Sequence, residues 1–196
     1  EYHKQSGTKK YYLRLRLIQR KLIKPKHLLI SVILGISGFL LVYNEIYFVL
    51  PGTNLLTDMR EIFVTIAAAL FGPIGGGMVA ILTCLHDPNP ELFPYIISQH
   101  IVTAILLSFY YKKFVYEKLT MPLLVVGWVF GIFLYYFVFY LPVFITVYFF
   151  NPSFFNQLVP GSKGLFDAME VLYLHTGWMP EFLLTTLFTS LIIIAL

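Results

Sequence analysis

The chain has 196 residues, of which 58% are hydrophobic and 12% are charged, and its formal net charge is +4. Soluble domains carry about 25% charged residues, so this composition indicates burial in a lipid bilayer. One bundle of five or six helices accounts for the whole length, which excludes a separate soluble catalytic domain within these residues.

The basic residues are concentrated at the start of the chain. Nine of the 14 Lys and Arg residues lie in positions 1–26, where Glu1 is the single acid, so this segment carries +8 and the rest carries −4. Basic residues beside a membrane span stay in the cytoplasm. We therefore interpret residues 1–27 as a cytoplasmic basic segment that lies on the anionic inner leaflet. We expect no nucleic-acid binding, because the rest of the chain is not basic.

Apolar runs and their breaks predict an all-α fold, a polytopic membrane helix bundle with five to six transmembrane helices in residues 28–196. The Gly72-Pro73 pair predicts that the chain folds back, since only then do Lys112 and Lys113 lie on the cytoplasmic side with the N-terminus. Both termini are then cytoplasmic. The predicted helices are 28–50, 55–72, 74–86, 95–111, 121–149 with a bend near Pro142, and 178–196, with a surface helix over 165–175.

Ionisable residues at membrane depth are expensive and usually functional. In the predicted topology the outer half gathers eight acids and only two bases, Arg60 and Lys163. A small polar ligand that enters from outside would meet this acidic rim. We predict that Arg60 and Glu181 form an outward-facing pocket together with Asp58, Glu45 and His100.

The role of Arg60 has two interpretations. Asp58 and Arg60 lie two residues apart, so on one helix their side chains would diverge by about 200° and would not pair. Arg60 would then either form a buried ion pair with Glu45 or Glu181 that locks the bundle, or anchor a ligand carboxylate or phosphate.

Other chemistry has weaker support in the sequence. Five residues near the predicted outer loops could converge on a metal ion: His86, Asp87, Glu91, His100 and His175. Their spacing matches no metal motif, and metal binding by the histidines is left open. Gly75, Gly76 and Gly77 lie inside an apolar helix and suit close helix packing. No arrangement of serine, cysteine or paired carboxylates suggests catalysis, so we expect this region to have no enzymatic activity and no cofactor.

The stretch DMREIFVTIAAALFGPIGGGMVAIL (58–82) resembles the signature of the LytS-type five-transmembrane sensor region of bacterial histidine kinases and diguanylate cyclases. The resemblance rests on the Asp58 and Arg60 start, the apolar run, the Gly72-Pro73 turn and the small-residue helix after it. It implies a sensor domain in the bacterial inner membrane that binds a small extracellular ligand. It also implies a cytoplasmic kinase or cyclase output domain beyond Leu196.

Dimerisation is a further implication of this resemblance, because kinases and cyclases of this kind work as pairs. Ser31, Gly35 and Gly38 are closely spaced on the first helix and are the predicted contact face between two copies.

Substrate-binding S-components of energy-coupling-factor vitamin transporters provide the alternative function. They are similar in length, carry an FGP…G turn and six helices, and keep both ends inside. They also present small residues at four-residue spacing on the first helix, and Ser31 and Gly35 offer that spacing once. The Asp-x-Arg start and the long basic segment favour the sensor.

Overall fold

The structure is a computed structural model that describes residues 25–49, 56–86, 93–116, 121–153, 159–173 and 179–195. Two π-helical segments, Tyr111–Tyr116 and Tyr135–Phe139, directly follow the helices that end at Tyr110 and Leu134. The elements are α1 (Pro25–Tyr43), β1 (Tyr47–Val49), β2 (Leu56–Asp58), α2 (Arg60–Thr83), α3 (Phe93–Tyr110), α4 (Met121–Leu134), α5 (Leu141–Phe150), α6 (Leu165–Tyr173) and α7 (Met179–Ala195).

The molecule is a bundle of helices that suits a bilayer, as the sequence predicts. Large apolar side chains such as Leu29 on α1 and Leu187 on α7 are more than half exposed, which is where lipid would contact them. Glu181–Ile192 in α7 is a shorter apolar helix. By length and apolar composition alone, four segments among the described residues could cross a membrane: Pro25–Tyr43, Arg60–Thr83, Phe93–Val115 and Leu123–Phe150.

Helix α2 is folded in two at Gly72. Gly72 has φ 78° and ψ −170°, a left-handed φ that glycine adopts without strain, and Pro73 follows it. A straight helix would separate Arg60 from Cys84 by about 36 Å, yet the Arg60 guanidinium Nη1 lies 3.6 Å from Cys84 Sγ. The predicted turn at Gly72-Pro73 is therefore present, and α2 is a hairpin of two antiparallel arms.

The two arms of the hairpin meet through very small residues. A Cβ added to Gly76 would lie 2.7 Å from the Cα of Ala68 on the other arm. Ala67, Ala68 and Ala80 are fully buried in the same core. Such residues let helix backbones approach closely where lipid provides no hydrophobic force between helices.

Side-chain contacts fix the direction of each helix. The rings of His27 and Phe71 are 5.3 Å apart, and Ser108 Oγ donates a 2.8 Å hydrogen bond to the Ala68 carbonyl. The N-terminus of α1, the Gly72 turn and the C-terminal part of α3 therefore lie at one end of the bundle. We call this end, with Lys26, Gly72 and Lys112, the Gly72 end.

Side-chain contacts also fix the direction of the last helices. The Tyr111 hydroxyl donates to the Trp128 carbonyl at 2.9 Å, and Trp128 Nε1 donates to Thr189 Oγ1 at 3.0 Å. The C-terminal half of α7 thus also lies toward the Gly72 end, so α1 begins and α7 finishes on the same side. The opposite end, with Arg60, Cys84 and Glu181, is called the Arg60 end.

A short β-hairpin lies between α1 and α2 at the Arg60 end of the helical bundle. Helix α1 ends at Tyr43 instead of Leu50, because Glu45 turns the chain with a left-handed φ of 57°. Strands β1 and β2 then pair antiparallel, with Tyr47 opposite Asp58. Aromatic and β-branched residues such as Tyr47-Phe48-Val49 favour strands. Helix α2 consequently begins at Arg60 and not near Leu55.

The small face of α1 packs inside one chain. Ser31, Gly35 and Gly38 are buried. A Cβ added to Gly35 would lie 2.6 Å from the Leu82 side chain, and a Cβ added to Gly38 would lie 2.4 Å from the Thr83 side chain. The prediction that these three residues form a contact face between two copies is therefore wrong. They hold α1 against the second arm of α2.

The long aromatic span is interrupted just before Pro142. Helix α4 passes into the π-helical segment Tyr135–Phe139, and α5 begins at Leu141 with Pro142 in its first turn. The predicted surface helix is present as α6, Leu165–Tyr173, with Phe166 84% exposed. His175, which the predicted helix included, lies outside the described residues.

Candidate functional site

A continuous cluster of polar side chains is buried at the Arg60 end. It contains three acids, one arginine and one histidine, all no more than 5% exposed, and two fully buried tyrosines. We call it the polar cluster, and its members are Asp58, Arg60, Glu61, Cys84, His100, Tyr135, Tyr136, Glu181 and Thr185.

Asp58 and Arg60 form an ion pair, contrary to the sequence prediction. Arg60 Nε lies 2.9 Å and 2.8 Å from the two Asp58 carboxylate oxygens, and Nη2 lies 2.6 Å from Oδ2. Asp58 Oδ1 also accepts the backbone N–H of Arg60 at 2.7 Å. The prediction failed because it placed both residues on one helix, whereas Asp58 ends β2 and its carboxylate reaches two residues ahead, as Asp side chains commonly do.

Glu61, the next residue on α2, contacts α3 and the π-helical segment Tyr135–Phe139. Its Oε1 lies 2.5 Å from His100 Nε2, and its Oε2 accepts a hydrogen bond from the Tyr135 hydroxyl. His100 Nδ1 lies 2.7 Å from the Ile96 carbonyl, which can only accept. Both ring nitrogens of His100 thus face acceptors, so one proton must be shared between His100 and Glu61.

Tyr136 connects the polar cluster to the last helix, α7. Its hydroxyl lies 3.1 Å from Glu181 Oε1 and 2.8 Å from Thr185 Oγ1. One turn further along α7, Thr189 accepts the indole N–H of Trp128. A buried polar stripe on α7, with i, i+4, i+8 spacing, therefore faces α4 and its π-helical continuation.

Four of the five predicted site residues belong to the cluster, and Glu45 does not. Asp58, Arg60, His100 and Glu181 are buried. Glu45 is exposed in the turn after α1. His86 is likewise exposed, while Asp87, Glu91 and His175 lie outside the described residues. Within the described part of the chain, no group of three His, Cys, Asp or Glu side chains is arranged to hold a metal ion.

Sequence reasoning missed Glu61, Cys84, Tyr135 and Tyr136. Glu61 carried the same signal as Arg60, a charge at the start of an apolar run. The tyrosines gave no such signal, because aromatic residues are common in membrane spans as interface anchors. Only the fold shows that consecutive tyrosines contact two different carboxylates.

The arrangement is suited to binding and coupling. A charge buried in lipid is costly unless it is paired and hydrogen-bonded, and Asp58 and His100 supply such partners to Arg60 and Glu61. The contacts run without interruption from β2 through α2, α3 and the π-helical segment to α7. A change at one carboxylate would therefore reach the last helix through side chains already in contact.

Comparison with known families agrees with the resemblance in the sequence. A family profile described as "5TMR of 5TMR-LYT" matches residues 10–152, which is most of the chain. The matched range includes the polar residues of α2 and α3 as well as Tyr135 and Tyr136. No curated protein and no solved structure matches the chain. The family consists of transmembrane sensor domains of signalling proteins, and the bacterial inner membrane is their usual location. The chain belongs to this LytS-type five-transmembrane sensor family and is a multi-pass membrane protein.

Proposed function

We propose that the chain is the input domain of a bacterial signalling protein, and that a small extracellular ligand binds at the polar cluster. Helix α7 would relay binding to a cytoplasmic kinase or cyclase domain that follows it. The family membership supports the sensor role. The observation that carries the ligand site is a polar cluster, buried at membrane depth, that is hydrogen-bonded to the last helix.

The charge distribution supports the orientation that this function needs. Lys26, Lys112 and Lys113 lie at the Gly72 end, where α1 begins. Bases at that end favour a cytoplasmic location. The Arg60 end then faces outward, where an extracellular ligand arrives, and the end of α7 lies on the cytoplasmic side.

The depth of the cluster supports a ligand site below the outer surface. The first arm of α2 runs from Arg60 to Gly72, about 18 Å, while the hydrocarbon layer is about 30 Å thick. With Gly72 near the inner boundary, Arg60 lies inside the membrane and not at its outer edge. A ligand would reach it from the Arg60 end.

The contacts indicate what a ligand must do. An anionic ligand at Arg60 must compete with the two carboxylate oxygens of Asp58, and a ligand at Glu61 must displace His100 or Tyr135. Ligand binding therefore replaces an internal pair. A ligand shifts a conformational equilibrium only when it binds one arrangement better than the other.

A ligand screen on the purified chain in lipid nanodiscs tests this site. Thermal unfolding is followed with amino acids, organic acids, amines and phosphorylated metabolites. A ligand at a hundred times its dissociation constant stabilises the native state by about 2.7 kcal/mol. We expect one of these classes to raise the unfolding midpoint.

The matched variants distinguish a site at the cluster from binding elsewhere. In the double variant Asp58→Asn and Arg60→Gln both charges are removed together, so no lone charge stays buried. We expect it to fold and to lose the ligand-induced shift, while Lys163→Ala, an exposed base outside the cluster, keeps it. A double variant that responds like the native chain would contradict the site, and so would a native chain that no class stabilises.

We also propose that the input domain works as a homodimer. Because Ser31, Gly35 and Gly38 are buried within one chain, the contact face would have to use side chains that are exposed in the monomer. Mass measurement of the protein in nanodiscs would show two copies per particle if the proposal holds, and one copy if it does not.

A further inference from the structure

The π-helical segment Tyr135–Phe139 keeps the buried face of the fourth span continuous. Counted at about 100° per residue, Tyr140, Phe144 and Val147 would lie about 120°, 160° and 100° away from Trp128 in an uninterrupted α-helix. All four side chains are nevertheless buried. The extra residue of a π turn takes out about 100°, which returns the three downstream residues to the face of Trp128.

The extra residue of the π turn can shift toward the N-terminus of the span more easily than toward its C-terminus. On the C-terminal side, Pro142 has no N–H to donate into the helix ladder, and α5 starts anew at Leu141. On the N-terminal side the backbone is regular α-helix up to Leu134. Single-turn π insertions are frequent at functional sites, and this one can move only toward Gly131 without crossing the proline.

A shift of the extra residue toward Gly131 would change the directions of three consecutive side chains, Tyr135, Tyr136 and Phe137. At present Tyr135 contacts Glu61 and Tyr136 contacts Glu181 and Thr185. The next residue, Phe137, has no hydroxyl and packs on the ring of Phe182. Moving the extra residue ahead of Tyr135 would turn each of the three side chains into the direction of the residue before it.

We propose that the π-helical segment is a register switch between the polar cluster and α7. In the second register Tyr136 takes the place of Tyr135 beside Glu61, and Phe137 takes the place of Tyr136 beside Glu181 and Thr185. Glu61 keeps a tyrosine hydroxyl, while α7 loses the two hydrogen bonds that Tyr136 gives it. A side-chain change at Glu61 is thereby converted into the release of the last helix.

Two single-residue deletions separate the two registers. Deleting Val138, after the tyrosines, removes the extra residue and keeps their present directions. Deleting Leu134, before them, also removes it but leaves Tyr136 in the direction of Tyr135. Both deletions preserve the buried face downstream, so the two variants form a matched pair.

The measurement is fluorine NMR of the chain in nanodiscs with trifluoromethyl-phenylalanine at position 135 and no ligand added. We expect one signal, A, after deletion of Val138 and a second signal, B, after deletion of Leu134. The label removes the Tyr135 hydroxyl, so in the labelled chain Glu61 has a tyrosine partner only in the second register. The labelled chain without a deletion should still give mainly signal A, because Tyr136 makes two hydrogen bonds to α7 in the present register and would make one, to Glu61, in the second.

Phe137→Tyr in the labelled chain provides the decisive comparison. The new hydroxyl can reach Glu181 only in the second register, and one hydrogen bond of ordinary strength shifts an equilibrium about fivefold. We expect B to gain at least that much, or an averaged signal to move toward B, whereas the control Phe139→Tyr leaves the spectrum at A. If Phe137→Tyr leaves the signal at A as well, the register switch is wrong, even if the Leu134 deletion fails to fold.

Discussion

The Glu61 carboxylate contacts side chains from two other elements. His100 on α3 and Tyr135 in the π-helical segment each face one of its carboxylate oxygens. Replacing one partner by an apolar residue leaves a buried carboxylate short of a hydrogen bond. Removing both groups of a pair together is much less damaging.

A double-mutant cycle on Glu61→Gln and Tyr135→Phe measures this coupling. Because the two side chains are hydrogen-bonded in a buried site, we expect their effects on unfolding free energy to be non-additive by about 0.5–3 kcal/mol. Ser98→Ala, an exposed hydroxyl that bonds to its own helix, should be additive with Glu61→Gln. Additivity in both cycles would show that the Glu61–Tyr135 contact contributes nothing.

The Asp58–Arg60 pair gives a second prediction for single residues. Asp58→Ala leaves a buried guanidinium without its carboxylate, and breaking a buried pair typically destabilises a protein by about 3–5 kcal/mol. Asp167→Ala, whose carboxylate is exposed, should change the unfolding midpoint in detergent very little. Equal midpoints for the two variants would show that the pair does not stabilise the bundle.

The membership of the cluster was more predictable than its pairing. Arg60, Asp58, His100 and Glu181 stand out because polar residues in apolar runs need partners. Their partners could not be derived, since Arg60 was placed on a common helix with Asp58, and Glu45 was placed at the same depth. Asp58 pairs with Arg60 because it ends the three-residue strand β2, and Glu45 lies outside the cluster because it forms a left-handed turn after α1.

Among the elements, the α2 hairpin positions the cluster. Its two arms bring Arg60 beside Cys84, which are distant in sequence. The Gly-Pro pair and the inner lysines predicted this turn, because both signals are local or depend only on charge. The β-hairpin and the π-helical segment were not predicted, since aromatic runs such as Tyr47–Val49 and Tyr135–Phe139 also suit membrane helices.

Adjacent glycines in the second arm test the hairpin. A Cβ on Gly76 would meet the Ala68 backbone at 2.7 Å, whereas nothing lies within 4 Å of a Cβ on Gly77. Overpacking against a backbone typically costs about 1–3 kcal/mol, so Gly76→Ala should lower the unfolding midpoint. Gly77→Ala should leave it unchanged or raise it, because alanine favours helix over glycine by about 1 kcal/mol. The reverse order would contradict the packing of the two arms.

Among the described residues, bases lie at the Gly72 end and acids predominate at the Arg60 end, and we propose that this polarity sets the orientation of the molecule in the membrane. Asn44 at the Arg60 end and Lys113 at the Gly72 end are both exposed. With cysteine at either position, a membrane-impermeant thiol reagent applied to intact cells should label position 44 and not position 113. Native Cys84 is fully buried, so the parent chain is the background control. Labelling of both positions from outside would contradict the proposed orientation.

We propose that binding at the polar cluster is transmitted along α7 to an output domain. The direct measurement joins the chain after Leu196 to a reporter kinase domain and inserts one to four alanines at the junction. Since each residue turns a helix by about 100°, transmission through a continuous helix predicts kinase output that rises and falls with the helical period. Output that does not depend on the number of inserted alanines would contradict transmission through α7.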